Sequence, residues 1–233
     1  MAVHSVRYLV KFIPEEMYVD SLINTGELFM RPLGCFVDLE KRQSDHVRGD
    51  IREGLLLNCI WVNSDRPIYC MYTVFESDVV SDSVLINKRA VQKFLPQEEG
   101  YFAIINYGDF ISQLKADYFE GYAVYTNIVT YGSLDRETQK QMLMNNNVQA
   151  AFFKQTSYSY QQEFRLVVDK ILPKIMDEEA INENESIGGE DPPIDRSTCG
   201  KYFACIGSLQ HCAKKYSKKD LIDYNGTHFI LKS

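Results

Sequence analysis

Gln161, Glu163 and Arg165 stand at every second position of the run Tyr160-Gln161-Gln162-Glu163-Phe164-Arg165. In an extended chain these three side chains leave one face of a strand. A carboxylate between an amide and a guanidinium can bind hydroxyl groups, stabilise a developing cation, or form an ion pair that only holds the fold. Lys154, Tyr158 and Tyr160 lie just upstream and could wall a pocket around it. The spacing leaves both readings open, because alternating polar residues on a strand commonly face water.

Two other groupings carry charge in a usable pattern. The run Arg48-Gly49-Asp50-Ile51-Arg52-Glu53-Gly54 combines sharp-turning glycines with arginines and acids. Such a loop can clamp a phosphate through arginine, or neutralise itself as a surface turn. Arg48, Asp50 and Glu53 are therefore binding candidates. Arg7 and Lys11 share one strand face beside Tyr8, where a ligand or plain edge solvation accounts for them equally. The four histidines, His4, His46, His211 and His228, sit in no nucleophile motif, so a catalytic triad is not expected. Nothing marks Asp50, Glu53 and Glu163 as converging on a metal, and none of the six cysteines belongs to a Cys-x-x-Cys pair.

The elements that must position these groups are legible from periodicity. Residues 7–12 alternate as a strand, with Tyr8, Val10 and Phe12 opposite Arg7, Leu9 and Lys11. Pro14, Glu15 and Glu16 open a short helix that Gly26 closes, and residues 27–31 form a second strand stopped by Pro32. Apolar strands are expected at 55–62 and 68–75, joined as a hairpin through residues 63–67. Further strands are expected at 84–86, 101–105, 122–129, 164–168, 202–206 and 227–231. Helices are expected at 88–95, from Asp109 to about residue 119, at 135–145 and at 150–154. Lys214, Lys215, Lys218 and Lys219 read as one short helical face, with a capping box at Ser217-Lys-Lys-Asp220. Residues 177–197 read as a flexible acidic loop: eight acids and no base lie between Asp177 and Asp195, with Gly188-Gly189 and Pro192-Pro193.

This layout predicts a single α+β domain over residues 1–233. Its sheet is mixed and mostly antiparallel, with short peripheral helices. No glycine-rich phosphate turn follows a strand, so Rossmann and P-loop readings fall away, and kinase motifs and a Gly-x-Ser-x-Gly elbow are missing from the sequence. A net charge of -7 and pI near 5.2 give no strong nucleic-acid signal. The opening residues do not read as a secretory signal, and no apolar run approaches a membrane span; a reducing cytoplasm is the expected compartment. Oligomeric state is not encoded legibly.

The order of motifs resembles an uncharacterised family of bacterial and phage proteins. Its members open with a Tyr-x-x-Lys strand, here Tyr8-Leu9-Val10-Lys11, followed by a helix and a short aromatic strand, here Leu28-Phe29-Met30-Arg31-Pro32. An acid-bearing loop comes next, here Asp50-Ile51-Arg52-Glu53. Late in the chain stand Phe-x-Lys and Tyr-x-x-Glu-x-Arg, here Phe152-Phe153-Lys154 and Tyr160 to Arg165, and a closing Ile-Gly followed by a helix, here Ile206-Gly207-Ser208-Leu209. More remotely, Gln161-x-Glu163 resembles the Gln-x-Glu strand of ADP-ribosyltransferases. That resemblance implies a split sheet clasping NAD, a basic residue on the first strand (Arg7 or Lys11), Glu163 as the catalytic carboxylate and Gln161 positioning the acceptor. The Ser-Thr-Ser strand of the arginine-modifying branch is missing. The expected function is thus a nucleotide pocket of the NAD type, phage- or defence-associated. The alternative is a non-catalytic module that sequesters a ligand or blocks a protein partner.

Overall fold

The alternation at the start of the chain produces β1 (Val6–Ile13), with Leu9 and Ile13 entering one apolar cluster and Val10 another. The structure, a computed structural model, describes residues 5–33, 55–56, 60–61, 66–133, 135–145, 147–169 and 201–232. Helix α1 (Glu16–Thr25) follows and buries Val19 and Leu22. Gly26 ends it at φ 68°, its N–H donating to the Leu22 carbonyl at 3.0 Å. That left-handed cap is the conformation glycine adopts most cheaply. Strand β2 (Glu27–Pro32) then buries Leu28 and Met30 and turns Phe29 and Arg31 outward.

The chain continues through β3 (Leu55–Leu56), β4 (Ile60–Trp61), β5 (Pro67–Phe75), β6 (Val79–Val80), β7 (Ser83–Asn87), α2 (Lys88–Phe94), β8 (Tyr101–Asn106) and α3 (Tyr107–Gln113). It closes with β9 (Ala123–Ile128), β10 (Thr130–Tyr131), α4 (Arg136–Asn145), β11 (Phe153–Lys154), β12 (Glu163–Asp169), β13 (Tyr202–Cys205), β14 (Ala213–Ser217), β15 (Ile222–Asp223) and β16 (His228–Lys232). The main sheet has the path β13-β2-β5-β1-β8-β14, with β12 on the other edge of β5 and β9 beyond it. A smaller sheet, β15-β16-β7-β6, lies beside it. Among the described residues only β10 and β11 pair in parallel. The fold is α+β with a mostly antiparallel sheet, as periodicity implies.

The main sheet divides along one edge of β5. There β1 pairs from Phe75 to Tyr72 and then leaves, continuing alongside β8. Strand β2 joins the same edge only at Ile68 and Pro67. Tyr69, Cys70 and Met71 lie between the two attachments. Helix α1 connects the two diverging strands, and Val19 and Leu22 pack with Leu9, Ile13, Leu28 and Met30 beneath the split. On the other sheet face α2 and β16 pack Val91 and Leu231 against Val10, Tyr72 and Phe102.

Several local expectations are revised. The 55–62 run folds back on itself, with Leu55 opposite Trp61, instead of forming one strand. The hairpin expected through residues 63–67 falls mostly outside the described residues. Asn106, not Asp109, caps α3 by accepting from the Asp109 N–H at 3.1 Å, and the helix stops at Gln113 before a separate 3-10 turn, Ala116–Phe119. The helix expected at 150–154 is the end of a 3-10 turn, Asn147–Phe152, running into β11. In place of the helix expected after Ile206-Gly207 there is a turn that leads into β14. Lys214 and Lys215 belong to β14, and only Lys218 and Lys219 enter the capped 3-10 turn. Their ammonium groups are used structurally: Lys215 meets Glu16 and Asp20, and Lys218 donates to the Leu95 and Gln97 carbonyls. The acidic loop at 177–197 lies outside the described residues. No helix among the described residues is long and apolar enough to cross a membrane.

The cap at Gly26 is also a close backbone approach: a Cβ there would stand 2.1 Å from the Gly207 carbonyl oxygen. Replacing Gly26 with alanine should therefore lower stability by about 1–3 kcal/mol, the cost of forcing a left-handed, clashing residue. Urea denaturation should show the loss as a lower midpoint at unchanged slope.

Candidate functional site

Strand β12 is buried on both faces. Phe164, Leu166 and Val168 enter the cluster above α1, while Glu163, Arg165 and Val167 point the other way. Glu163 and Arg165 are only 4 % and 1 % exposed, so the polar face that alternation would have turned to water is interior. Gln161 is not part of the strand. It ends a 3-10 turn, Thr156–Gln161, and Gln162 follows in the left-handed region at φ 40°. The Gln162 carbonyl accepts from Thr73 N–H at 2.7 Å and its side-chain oxygen accepts from Tyr72 OH, which ties this turn to β5.

Gln161 nevertheless reaches Glu163 through a third residue. Lys154 Nζ, brought in by β11, donates to Gln161 Oε1 and Glu163 Oε1, each at 2.8 Å. Arg165 Nε donates to Glu163 Oε2 at 2.8 Å, and another guanidinium nitrogen lies 2.8 Å from the same oxygen. Arg165 also donates to the Ala151 carbonyl in the preceding 3-10 turn. The backbone N–H of Glu163 donates to Tyr131 OH at 2.8 Å. Burial by itself would raise the Glu163 carboxyl, but the Arg165 guanidinium and Lys154 ammonium outweigh it and hold it down at about 2. Glu163 is therefore anionic at neutral pH, with both oxygens engaged. The desolvated Tyr131 hydroxyl beside it is pushed up and stays protonated.

A cavity of about 350 Å³ opens where β1 and β2 part from β5. Phe12, Phe29, Tyr72 and Phe94 provide aromatic walls, Lys11 and Arg31 provide cations, and Glu163 forms part of the lining. Lys11 Nζ donates to the Cys70 carbonyl at 2.8 Å and sits 3.9 Å from the centre of the Tyr69 ring. Burial lowers Lys11 to about 8, with partial compensation from Cys70 and Glu163. The cavity thus joins a planar-ring environment to a local excess of positive charge in an acidic protein.

The structure brings Glu163, Gln161, Arg165 and Lys154 together and places Lys11 at the same cavity. Tyr160 stands behind this group, its ring covered by Arg89 at 4.0 Å and its hydroxyl 3.4 Å from Gln161 Nε2. Tyr8 packs against the α2-side cluster, under the Arg7 guanidinium, which also meets Glu76 at 3.6 Å. Arg48, Asp50 and Glu53 lie outside the described residues. Arg31, Phe29, Phe94 and Tyr131 were not singled out as site residues by sequence reasoning. Phe29 and Arg31 stand within the short aromatic strand of the family-like motif, but nothing local signalled Phe94 or Tyr131.

No family model matches the chain, and neither curated proteins nor solved structures give a match.

Breaking the buried cluster should be costly in proportion to the charge left unpaired. Arg165→Met is expected to lower stability by about 3–5 kcal/mol, and the Glu163→Gln/Arg165→Met double variant should recover part of that loss. Glu163 has a folded value below its ordinary 4.5, so its stabilisation is complete above that pH and fades as pH falls toward about 2. The stability gap between wild type and Glu163→Gln, followed by urea midpoints, should therefore narrow on acidification across that window.

Proposed function

We propose that the split in the main sheet binds a nucleotide-type ligand, with NAD and ADP-ribose as representative forms. The observation that carries this reading is one cavity that combines Lys11 and Arg31 with the aromatic side chains of Phe12, Phe29 and Phe94. A phosphate requires concentrated positive charge, and a base requires a flat apolar wall. Glu163 at the edge of the same cavity offers a fixed anion for ribose hydroxyls. Because Lys154 and Arg165 already neutralise it, binding without turnover is the reading favoured here, which makes the protein a ligand-sequestering module. The phage- or defence-associated setting proposed for it derives from the family resemblance.

A second reading, ADP-ribosyl transfer, is favoured by one specific feature: Glu163 lines the cavity and stays ionised. Cleavage of the nicotinamide–ribose bond develops an oxocarbenium ion that a carboxylate can stabilise. Gln161, held to the same Lys154, would then orient an acceptor. Nicotinamide release from NAD, lost in Glu163→Gln, would establish this reading over simple binding.

Calorimetric titration with ADP-ribose tests the binding proposal directly. Arg31→Ala should weaken affinity by roughly tenfold, the usual scale for one charge-assisted phosphate contact. The Lys11 contribution carries its own signature: Lys11 is cationic below about 8, so affinity should fall as pH rises through that value. Lys11→Arg should hold its affinity between about pH 7 and about pH 9.5, because a guanidinium does not titrate there. Absence of binding at both ends of that range would refute the proposal.

A further inference from the structure

Lys11 occupies a position that charge alone does not explain. It lines the cavity that holds Glu163 and also a second one of about 400 Å³ on the α1 side, formed with Tyr18, Leu22, Tyr69, Lys201 and Phe203. Phe12, Phe29 and Arg31 also line both cavities, and the Lys11 amine meets Cys70 of the first and the Tyr69 ring of the second. The groups around it are Cys70 and Tyr69 from β5, Arg31 and Glu27 from β2, Glu163 from β12, and Lys201. The Glu163 carboxylate is already engaged by Lys154 and Arg165, and Lys11 makes its own hydrogen bond to a backbone carbonyl. A half-buried lysine placed against aromatic walls, with no direct bond to a carboxylate among the described residues, is one way folds present an amine nucleophile.

We propose that Lys11 forms an imine with a carbonyl compound bearing an anionic group, the anion being held by Arg31 in the shared part of the two cavities. The neutral amine adds to the carbonyl carbon, protons pass from nitrogen to the carbonyl oxygen, and that oxygen departs as water. One amine and one carbonyl become one imine and one water, without oxidant or reductant. The lowered Lys11 value, about 8 against an ordinary 10.5, supplies the free amine this addition requires. At neutral pH that difference gives roughly 300-fold more neutral amine than an ordinary lysine holds. Arg31 is exposed on β2 and presents a guanidinium to both cavities, so it selects an anionic carbonyl compound over a neutral one. The inference uses the same cavities as the nucleotide reading but not its ligand class, and the two can fail separately.

The test is reductive trapping on the full chain, with pyridoxal 5′-phosphate as an anionic probe and pyridoxal as its neutral counterpart. Each is mixed with protein near neutral pH and reduced with borohydride, and the modified lysines are located by peptide mass spectrometry. Lys11 should be trapped at least about tenfold faster than the exposed Lys219 of the same molecules, an internal comparison that needs no variant. Lys11→Arg, which retains the positive charge, should abolish the fast phase while leaving slow surface labelling intact. Arg31→Ala should slow trapping of pyridoxal 5′-phosphate by roughly tenfold and leave pyridoxal unchanged. Labelling of Lys11 no faster than Lys219 would overturn the proposal outright. Equal loss of both probes in Arg31→Ala would overturn its anionic half. A nucleotide titration that fails while Lys11 traps rapidly would remove the nucleotide reading and leave this one standing.

Discussion

A strand edge that loses its neighbour must find another donor for its carbonyls, and this requirement organises the middle of the molecule. Where β1 and β2 diverge, the Cys70 carbonyl faces the gap, and an unmet buried carbonyl costs about 1–3 kcal/mol. Lys11 Nζ meets it at 2.8 Å. To do so the ammonium is drawn out of water, which lowers its proton affinity, while the Tyr69 ring it rests on offers a partial cation–π compensation. One hydrogen bond therefore satisfies a carbonyl on an open sheet edge and places a half-dehydrated amine beside a cavity. The chemistry proposed for the groove follows from this structural repair.

Across β5 the same logic operates on a carboxylate. Glu163 opposes Tyr72 in register and sits between two apolar clusters, a position hostile to an isolated charge. Lys154 and Arg165 bring it two cations, Arg165 continues to the Ala151 carbonyl, and Tyr131 OH accepts the Glu163 N–H. Such a network adds little net stability compared with apolar packing of the same shape, yet any single deletion within it is expensive. It fixes the short turn from Lys154 through Gln161 against the sheet. It also leaves a carboxylate that is ionised at neutral pH at the cavity wall.

The strained Gln162 links these two halves. Its left-handed backbone lets the chain leave the 3-10 turn and enter β12 without interrupting the β5 ladder, since its carbonyl still accepts from Thr73. Tyr72, which borders the cavity, donates to the Gln162 side chain and accepts from Asn87 N–H at 3.2 Å. The tyrosine thus connects the turn before Glu163 to the start of α2, the helix that carries Phe94 into the cavity.

The chain's own periodicity determined β1, α1 with its Gly26 cap, β2 and the core of β12, because strand alternation and helix capping depend on neighbours within a few residues. It also marked Glu163 and Arg165 as a pair, since both leave the same face of one strand. What it could not determine was which face is interior: alternation is identical whether Glu163 meets water or lies between two apolar clusters. Gln161 was misplaced for a related reason, as its turn is held by Tyr72 and Thr73, about ninety positions away in the chain. Lys11 looked like an edge cation, and only the departure of β1 from β5 converts it into the cap of a carbonyl 59 residues distant. The sheet split, the cavity and the altered acidity of its lysine exist because strands remote in sequence attach to one edge of β5 at different points. That arrangement resides in tertiary contacts, which no local pattern encodes.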